Sequence, residues 1–269
     1  MRKLIIVIFS LILIYFLCGF YNGLEITNYS YQYEKLHEKF DGFKIVLISD
    51  LHGKVVGKDQ HKLIRAIRSC NPDMIAFTGD ITDGYHKDLS PIRDLLSGLS
   101  GSYPMYAVTG NHEKDNLRNY EELLNCYEEY GVYFLDDDYQ TIDKEGEHIG
   151  IYGIAYRDRN LMKNDIKGPN KNIDNFNILL CHDPNAFSDI SLYGYNLVLS
   201  GHTHGGIIRL PFIEGLLNNN RSLFPKFDGG NFSMNGSSMI VSRGIGDSVF
   251  ARYYNRPELV CITLNTRNN

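Results

Sequence analysis

Five short stretches of this chain carry residues that could do chemistry together. They are Asp50-Leu51-His52, Gly79-Asp80-Ile81-Thr82-Asp83, Gly110-Asn111-His112-Glu113, His182-Asp183 and Gly201-His202-Thr203-His204-Gly205-Gly206. Their donors are carboxylate, amide and imidazole, with no thiolate among them, a set that suits Mn²⁺, Fe or Zn²⁺. Asp50, His52, Asp80, Asn111, His182, His202 and His204 exceed what one tetrahedral ion requires, so two adjacent divalent ions are expected. A paired site needs a bridging carboxylate, and one of the aspartates must supply it.

Each stretch alone has a plainer reading. Asp-x-His is common by chance, and His182 beside Cys181 could be a core histidine. His202 and His204 could share one face of a strand end, and Asn111 could be a turn residue. What chance does not explain is all five together. Five of the nine histidines fall in these stretches, while His37, His61, His86 and His148 lie in polar surroundings and read as surface.

The elements around the stretches say how they would meet. Each follows an apolar run that reads as a buried strand: 44–48, 74–77, 105–108, 178–181 and 197–200. Leu63, Ile64, Ile67 and Cys70 have helical spacing and stop at Asn71-Pro72. Ser90-Pro91 opens a helix through Leu99, and Tyr120, Leu123, Leu124 and Tyr127 form an apolar helix face closed by Gly131. Further strands are expected at 132–135, 149–154, 239–241 and 260–264. Helices dominate the first half and strands the second, which implies an α/β fold with a two-layered sheet core flanked by helices. If the five strands share a sheet, their loops converge at its carboxyl edge.

The amino end differs in kind. Arg2 and Lys3 precede an uncharged stretch from Leu4 to Leu24, just long enough to cross a bilayer. Residues 1–24 are therefore expected to be an uncleaved transmembrane anchor, since no small-residue cleavage site follows. Residues 25–42 read as a juxtamembrane stalk and 43–269 as the domain proper. Positive charge before the anchor puts the catalytic domain outside the cytoplasm, as a single-pass protein of the cell membrane. With 43% apolar and 22% charged residues the remaining ~245 residues fit one large domain, and a net charge of −5 argues against nucleic acid as a partner. Cys70, Cys126, Cys181 and Cys261 sit in apolar settings without framework spacing and read as buried free thiols.

The ordered set, from Asp50 to His204, resembles the calcineurin-like metallophosphoesterases. Farther on, Arg209-Leu210-Pro211, Ser242-Arg243-Gly244-Ile245-Gly246 and Pro257-Glu258 are similar to small membrane-associated bacterial phosphodiesterases, some of which cleave the pyrophosphate of UDP-diacylglucosamine. Ile207 departs from the glutamine expected there. The resemblance implies a βαββ sandwich of two mixed sheets. It implies one metal on Asp50, His52 and His204, another on Asn111, His182 and His202, and Asp80 as their bridge. His112 would lie beyond the ligands, near the substrate phosphate, as the catalytic acid.

Two such cations generate hydroxide at neutral pH and neutralise charge in an in-line displacement. Asp83 and Asp183 are candidates to orient ligand imidazoles or, equally, to stabilise turns. The expected reaction is hydrolysis of a phosphodiester or pyrophosphate in a lipid-linked or envelope substrate. A phosphomonoesterase (protein phosphatase or nucleotidase) is the alternative within enzymes, and a silent binding module the alternative outside them. Leu210, Phe212, Ile213, Leu216, Leu217, Leu223, Phe224 and Phe227, with Arg209, Arg221 and Lys226, read either as cover for the sheet or as an apolar lip beside the metals.

Overall fold

The computed structural model describes residues 2–83, 88–115, 117–157, 166–170, 176–206, 208–210, 214–217, 223–247 and 252–267. A helix, α1 (Arg2–Cys18), leads into strand β1 (Glu25–Tyr33) and then β2 (Phe43–Ile48). Next come α2 (His61–Ser69), β3 (Met74–Thr78), α3 (Ser90–Leu99), β4 (Met105–Val108), α4 (Asn111–Asp115), α5 (Leu117–Tyr130) and β5 (Val132–Phe134). The second half holds β6 (Tyr139–Lys144), β7 (Glu147–Ile154), β8 (Phe176–Cys181), β9 (Leu197–Ser200), β10 (Ile208–Leu210) and β11 (Glu214–Leu217). It closes with β12 (Gly230–Met234), β13 (Ser237–Val241) and β14 (Glu258–Thr266).

Among the described residues these strands make two mixed six-stranded sheets, β1-β14-β2-β3-β4-β5 and β12-β13-β9-β8-β7-β6, and a separate β10–β11 hairpin. The runs that looked uniformly apolar are inner strands covered on both faces. In β2, Ile45 and Leu47 point between the sheets, into the cluster of Ile178, Leu180 and Leu199, while Val46 and Ile48 point to the layer under Leu63, Ile67 and Leu95. That period-two division makes a sandwich with helices outside. The five apolar runs do not share one sheet, as convergence at a single carboxyl edge would require. β2, β3 and β4 belong to one sheet and β8 and β9 to the other.

Three expectations at the edges are corrected. First, residues 25–33 are no stalk. β1 pairs in parallel with β14 along its whole length, and Tyr29, Tyr31 and Tyr33 turn half-buried toward the intersheet core. Second, the expected anchor over Leu4–Leu24 is cut short: α1 has 17 residues, about 26 Å at 1.5 Å per residue against a ~30 Å hydrocarbon core. Among the described residues no helix is long and apolar enough to cross a membrane. The helix gives way to a turn at Gly19, whose carbonyl is taken by the Tyr254 amide at 2.6 Å. Third, Cys70 and Cys261 are joined by a disulfide across 191 residues, whereas Cys126 and Cys181 are buried free thiols. The partners come from the end of α2 and the middle of β14, so only the packing of that helix on the sheet brings them together.

Candidate metal centre

All seven expected ligands gather where the two sheets end. Asp50 and His52 follow β2, Asp80 follows β3, Asn111 and His112 open α4, His182 follows β8, and His202 and His204 follow β9. Backbone bonds lock the loops to one another: Asp50 N–H to the Gly79 carbonyl (3.1 Å), His52 N–H to the Asp80 carbonyl (3.0 Å) and Gly201 N–H to the His182 carbonyl (3.1 Å). The Asp50 carboxylate crosses between the sheets to accept the His202 amide at 3.0 Å. Asp80 Oδ1 accepts the His112 amide at 2.8 Å. Gly110 permits that approach, since a Cβ there would collide with the Asp80 carboxylate.

The donor atoms converge. Asp50, His52 and His204 offer one cluster, and Asp80, His182 and His202 another, with ligand atoms in each within 4.8 Å of one another. His52 Nε2 lies 3.1 Å from His204 Nε2, and His182 Nε2 lies 3.1 Å from His202 Nδ1. Asp80 Oδ2 is 3.3 Å from His182 Nε2 and 4.0 Å from His112 Nε2. Five of these residues, Asp50, His52, Asp80, His202 and His204, have φ between +48° and +71°, the left-handed region that costs a side-chain-bearing residue energy. Such strain collects at functional sites, where surrounding structure holds it.

His182 tests whether cations fit. Its Nδ1 lies 2.7 Å from the Thr78 carbonyl, which can only accept, so the second nitrogen faces inward. That Nε2 meets three potential acceptors at once: Asn111 Oδ1 (3.2 Å), Asp80 Oδ2 and His202 Nδ1. A position ringed by lone pairs calls for a positive charge. The protonated ring can supply it: burial pulls the His182 pKa down, but Asp80 and Asp50 outweigh burial and raise it to about 10. Burial also works against the Asp80 carboxylate, yet His182 and its hydrogen bond hold Asp80 well below the usual range. Burial pushes Asp50 up to about 6 against the opposing pull of His182. It holds His52 and His202 down to about 4, and with His52 nearby it holds His204 well below normal. Three neutral imidazoles, an amide and two carboxylates around a buried cationic position fit a divalent metal centre.

His112 is not one of the seven expected ligands, yet its ring forms a third candidate group with His52 and Asp80, with ligand atoms again within 4.8 Å of one another. Its ring meets His52 edge-on at 4.8 Å and its side chain is 27% exposed, so it lies where a substrate would approach. Asp183 accepts the Asn185 backbone and side-chain N–H groups, capping a short turn, and its charge also acts on His202. Asp83 acts on His52 through its charge.

Several supports have no counterpart in the sequence reading. Buried Glu113 accepts N–H bonds from Asp80 (2.8 Å), Thr82 (3.0 Å) and Gly110 (2.8 Å), fastening the β3 loop to the β4 loop. Its place in the Gly-Asn-His-Glu stretch was the available signal. Buried Arg252 donates to the Gly244 and Gly246 carbonyls, and Asn255 Nδ2 donates to the His204 carbonyl at 2.6 Å. Nothing in their spacing pointed to this. The apolar segment after His204 divides: Phe227 is buried against Phe187 and Phe232, whereas Leu223 and Phe224 are exposed. His86, Ile207, Pro211, Phe212, Ile213 and Arg221 lie outside the described residues.

The chain is similar to known proteins. Residues 43–206 match the model of the family described as calcineurin-like phosphoesterase. The uncharacterized metallophosphoesterase YkuE of Bacillus subtilis is 30% identical over 91% of this chain and 87% of that protein. An uncharacterized metallophosphoesterase of Aquifex aeolicus is 30% identical over 94% of this chain and 98% of its own length. Among solved structures, the NAD nucleotidase of Haemophilus influenzae aligns at a TM-score of 0.46 with 18% identity, covering 74% of this chain and 44% of that one.

Proposed function

This chain belongs to the calcineurin-like phosphoesterases and is a metal-dependent phosphoesterase, and from that premise we propose that it holds two divalent ions, Mn²⁺ foremost, and hydrolyses a phosphodiester or pyrophosphate bond. The carrying observation is the position of Asp80, whose carboxylate lies beside both donor clusters and makes it the natural bridge. Asp50, His52 and His204 would hold one ion, and Asn111, His182 and His202 the other. When bound, the ions would supply Lewis acidity toward the phosphate oxygens and an activated water.

The chain's own groups supply the rest. Thr78 fixes the ring of His182 through Nδ1 so that Nε2 faces the site, as second partners of ligand imidazoles do. Glu113 keeps Asp80 at its station through the Asp80 amide. His112, aligned by its own amide on Asp80, would give a proton to the departing oxygen.

A lipid-linked or envelope substrate is favoured by α1. Its large apolar side chains between Leu4 and Leu17 are 46–67% exposed and none is buried, a surface that water disfavours and a membrane accepts. Membrane attachment through α1 follows, and the Cys70–Cys261 disulfide supports an oxidising, extracytoplasmic location for the domain.

The test compares bis(p-nitrophenyl) phosphate with p-nitrophenyl phosphate on Mn²⁺-loaded protein and on Asp80→Asn. The diester should have the higher kcat/KM, and Asp80→Asn should lose both turnover and bound metal. Preference for the monoester would make the protein a phosphomonoesterase instead. Full metal content with wild-type rates in Asp80→Asn would remove Asp80 from the bridge.

A further inference from the structure

Two exposed apolar features are linked to the metal centre through one loop. The first is α1. The second is the tip that follows β11, where Leu223 and Phe224 are 64% and 62% exposed. The tip is tied into the hairpin: Leu223 bridges to Leu217, and the Phe224 amide donates to the Leu216 carbonyl at 3.1 Å. Phe227, three residues later, is buried. The local fold therefore hides one phenyl ring and leaves another in water.

The joining loop is Arg252–Asn255. Tyr253 bridges to Ile208 of β10, and its carbonyl accepts the Arg209 amide at 2.9 Å. The Tyr253 ring also meets Phe16 and Phe20 at 5.8 and 5.0 Å. Tyr254 packs on Tyr15 at 5.2 Å, and its hydroxyl donates to the Tyr15 carbonyl. The neighbours on either side turn inward. Asn255 holds the carbonyl of His204, and Arg252 holds the Gly244–Gly246 turn, whose Gly246 amide donates to the Asp50 carbonyl at 2.6 Å. Four consecutive residues thus seat α1 and the hairpin with their middle pair and two metal-ligand loops with their outer pair.

We propose that α1 sinks into the acyl layer of a lipid bilayer while the Leu223–Phe224 tip docks at its headgroup boundary, with Arg252–Asn255 as the joint that holds the metal centre at a fixed height over it. This rests on the membrane attachment through α1 proposed above and adds a second contact and the link between them. A bilayer suits the surface better than a protein groove does. α1 is apolar on every side and has no polar stripe to leave facing water, as an amphipathic helix in a groove would. Exposed Arg2, Lys3 and Lys226 supply positive charge at both contacts for anionic headgroups. A substrate phosphate at headgroup level would then reach the metals without leaving the membrane.

The chain has no tryptophan, so Phe224→Trp places a single fluorophore at the tip. The full chain carrying it is mixed with vesicles of phosphatidylethanolamine and phosphatidylglycerol, with and without brominated acyl chains. The expected result is a blue-shifted emission that brominated lipid quenches, repeated with Leu223→Trp, both variants keeping the wild-type melting temperature. Tyr133→Trp, at a position 49% exposed on the edge strand β5, should keep its aqueous emission. Protein that sediments with vesicles while tip emission stays aqueous would overturn the proposal and leave attachment through α1 standing. Quenching of the Tyr133→Trp variant as well would overturn it by showing a different docking face. Failure to sediment at all would overturn both readings of the membrane, while turnover of the soluble diester reports separately on the hydrolase.

Discussion

At the residue scale, the site works by what each donor is prevented from doing. Thr78 occupies one nitrogen of His182, so the other has only the site to serve. The carboxylates around it keep that ring protonated up to about pH 10 when metal is absent. Metal must therefore displace a proton from His182, whereas His52 and His202, held to about 4 by burial, are already neutral at pH 7. Metal loading should release at least one proton at neutral pH, the first from His182 and any further one from the activated water, and apparent affinity should weaken about tenfold for each unit the pH falls below the pKa of His182. Calorimetric titration in buffers of different ionisation enthalpy measures the release, and no release would mean that His182 is neutral before metal arrives. Read from residue types alone, four ordinary histidines would compete with acid near pH 6. Burial changes that by removing three of them from the competition. His112 offers a separate test, because it lies beside the ligands without completing either expected set. His112→Ala should retain its metal and lose about 10²–10⁴-fold in kcat, the usual worth of a positioned acid. Elemental analysis alongside the rate decides this, since lost metal would make His112 a ligand.

At the element scale, what was legible in the sequence was what a strand or loop expresses alone. The inner strands β2, β3, β4, β8 and β9 announced themselves as apolar runs because both their faces are covered, and the donor loops announced themselves by residue type. β1 did not. Its alternation of Tyr29, Tyr31 and Tyr33 with Asn28, Ser30 and Gln32 reads as polar because an edge strand buries only one face. β6 carries almost no burial of its own and is defined by its antiparallel partner β7. The supports of the site were hidden for the same reason. Glu113, Arg252 and Asn255 act on backbone groups that only the finished fold brings near, and the left-handed φ of five ligand positions has no reliable signature in composition. The Cys70–Cys261 link joins α2 to β14 and closes a loop of most of the domain. Cys70→Ser should lower unfolding free energy by about 2–4 kcal/mol in a denaturant titration under oxidising conditions. Equal stability of variant and wild type there, or a free-thiol count showing both cysteines reduced in the native protein, would contradict the link.

At the scale of the whole molecule, two sheets facing each other across one core bring loops from both halves of the chain to one end. Neither sheet alone carries a complete set of donors: Asp50, His52, Asp80 and Asn111 come from one, and His182, His202 and His204 from the other. The centre is therefore an interface between the two layers, and it forms only when they are packed. The same end of the molecule carries the 252–255 loop that seats α1, so α1 and the donor loops share a support. Everything proposed for the reaction depends on how many cations that interface binds. The direct measurement is elemental analysis of purified full-length protein after Mn²⁺ loading and desalting, paired with turnover of bis(p-nitrophenyl) phosphate before and after chelation. Two ions per chain, with activity lost on chelation and regained as the second ion returns, is the expected result. One ion or none per chain in fully active protein, or turnover that chelation leaves untouched, would contradict a paired centre bridged by Asp80.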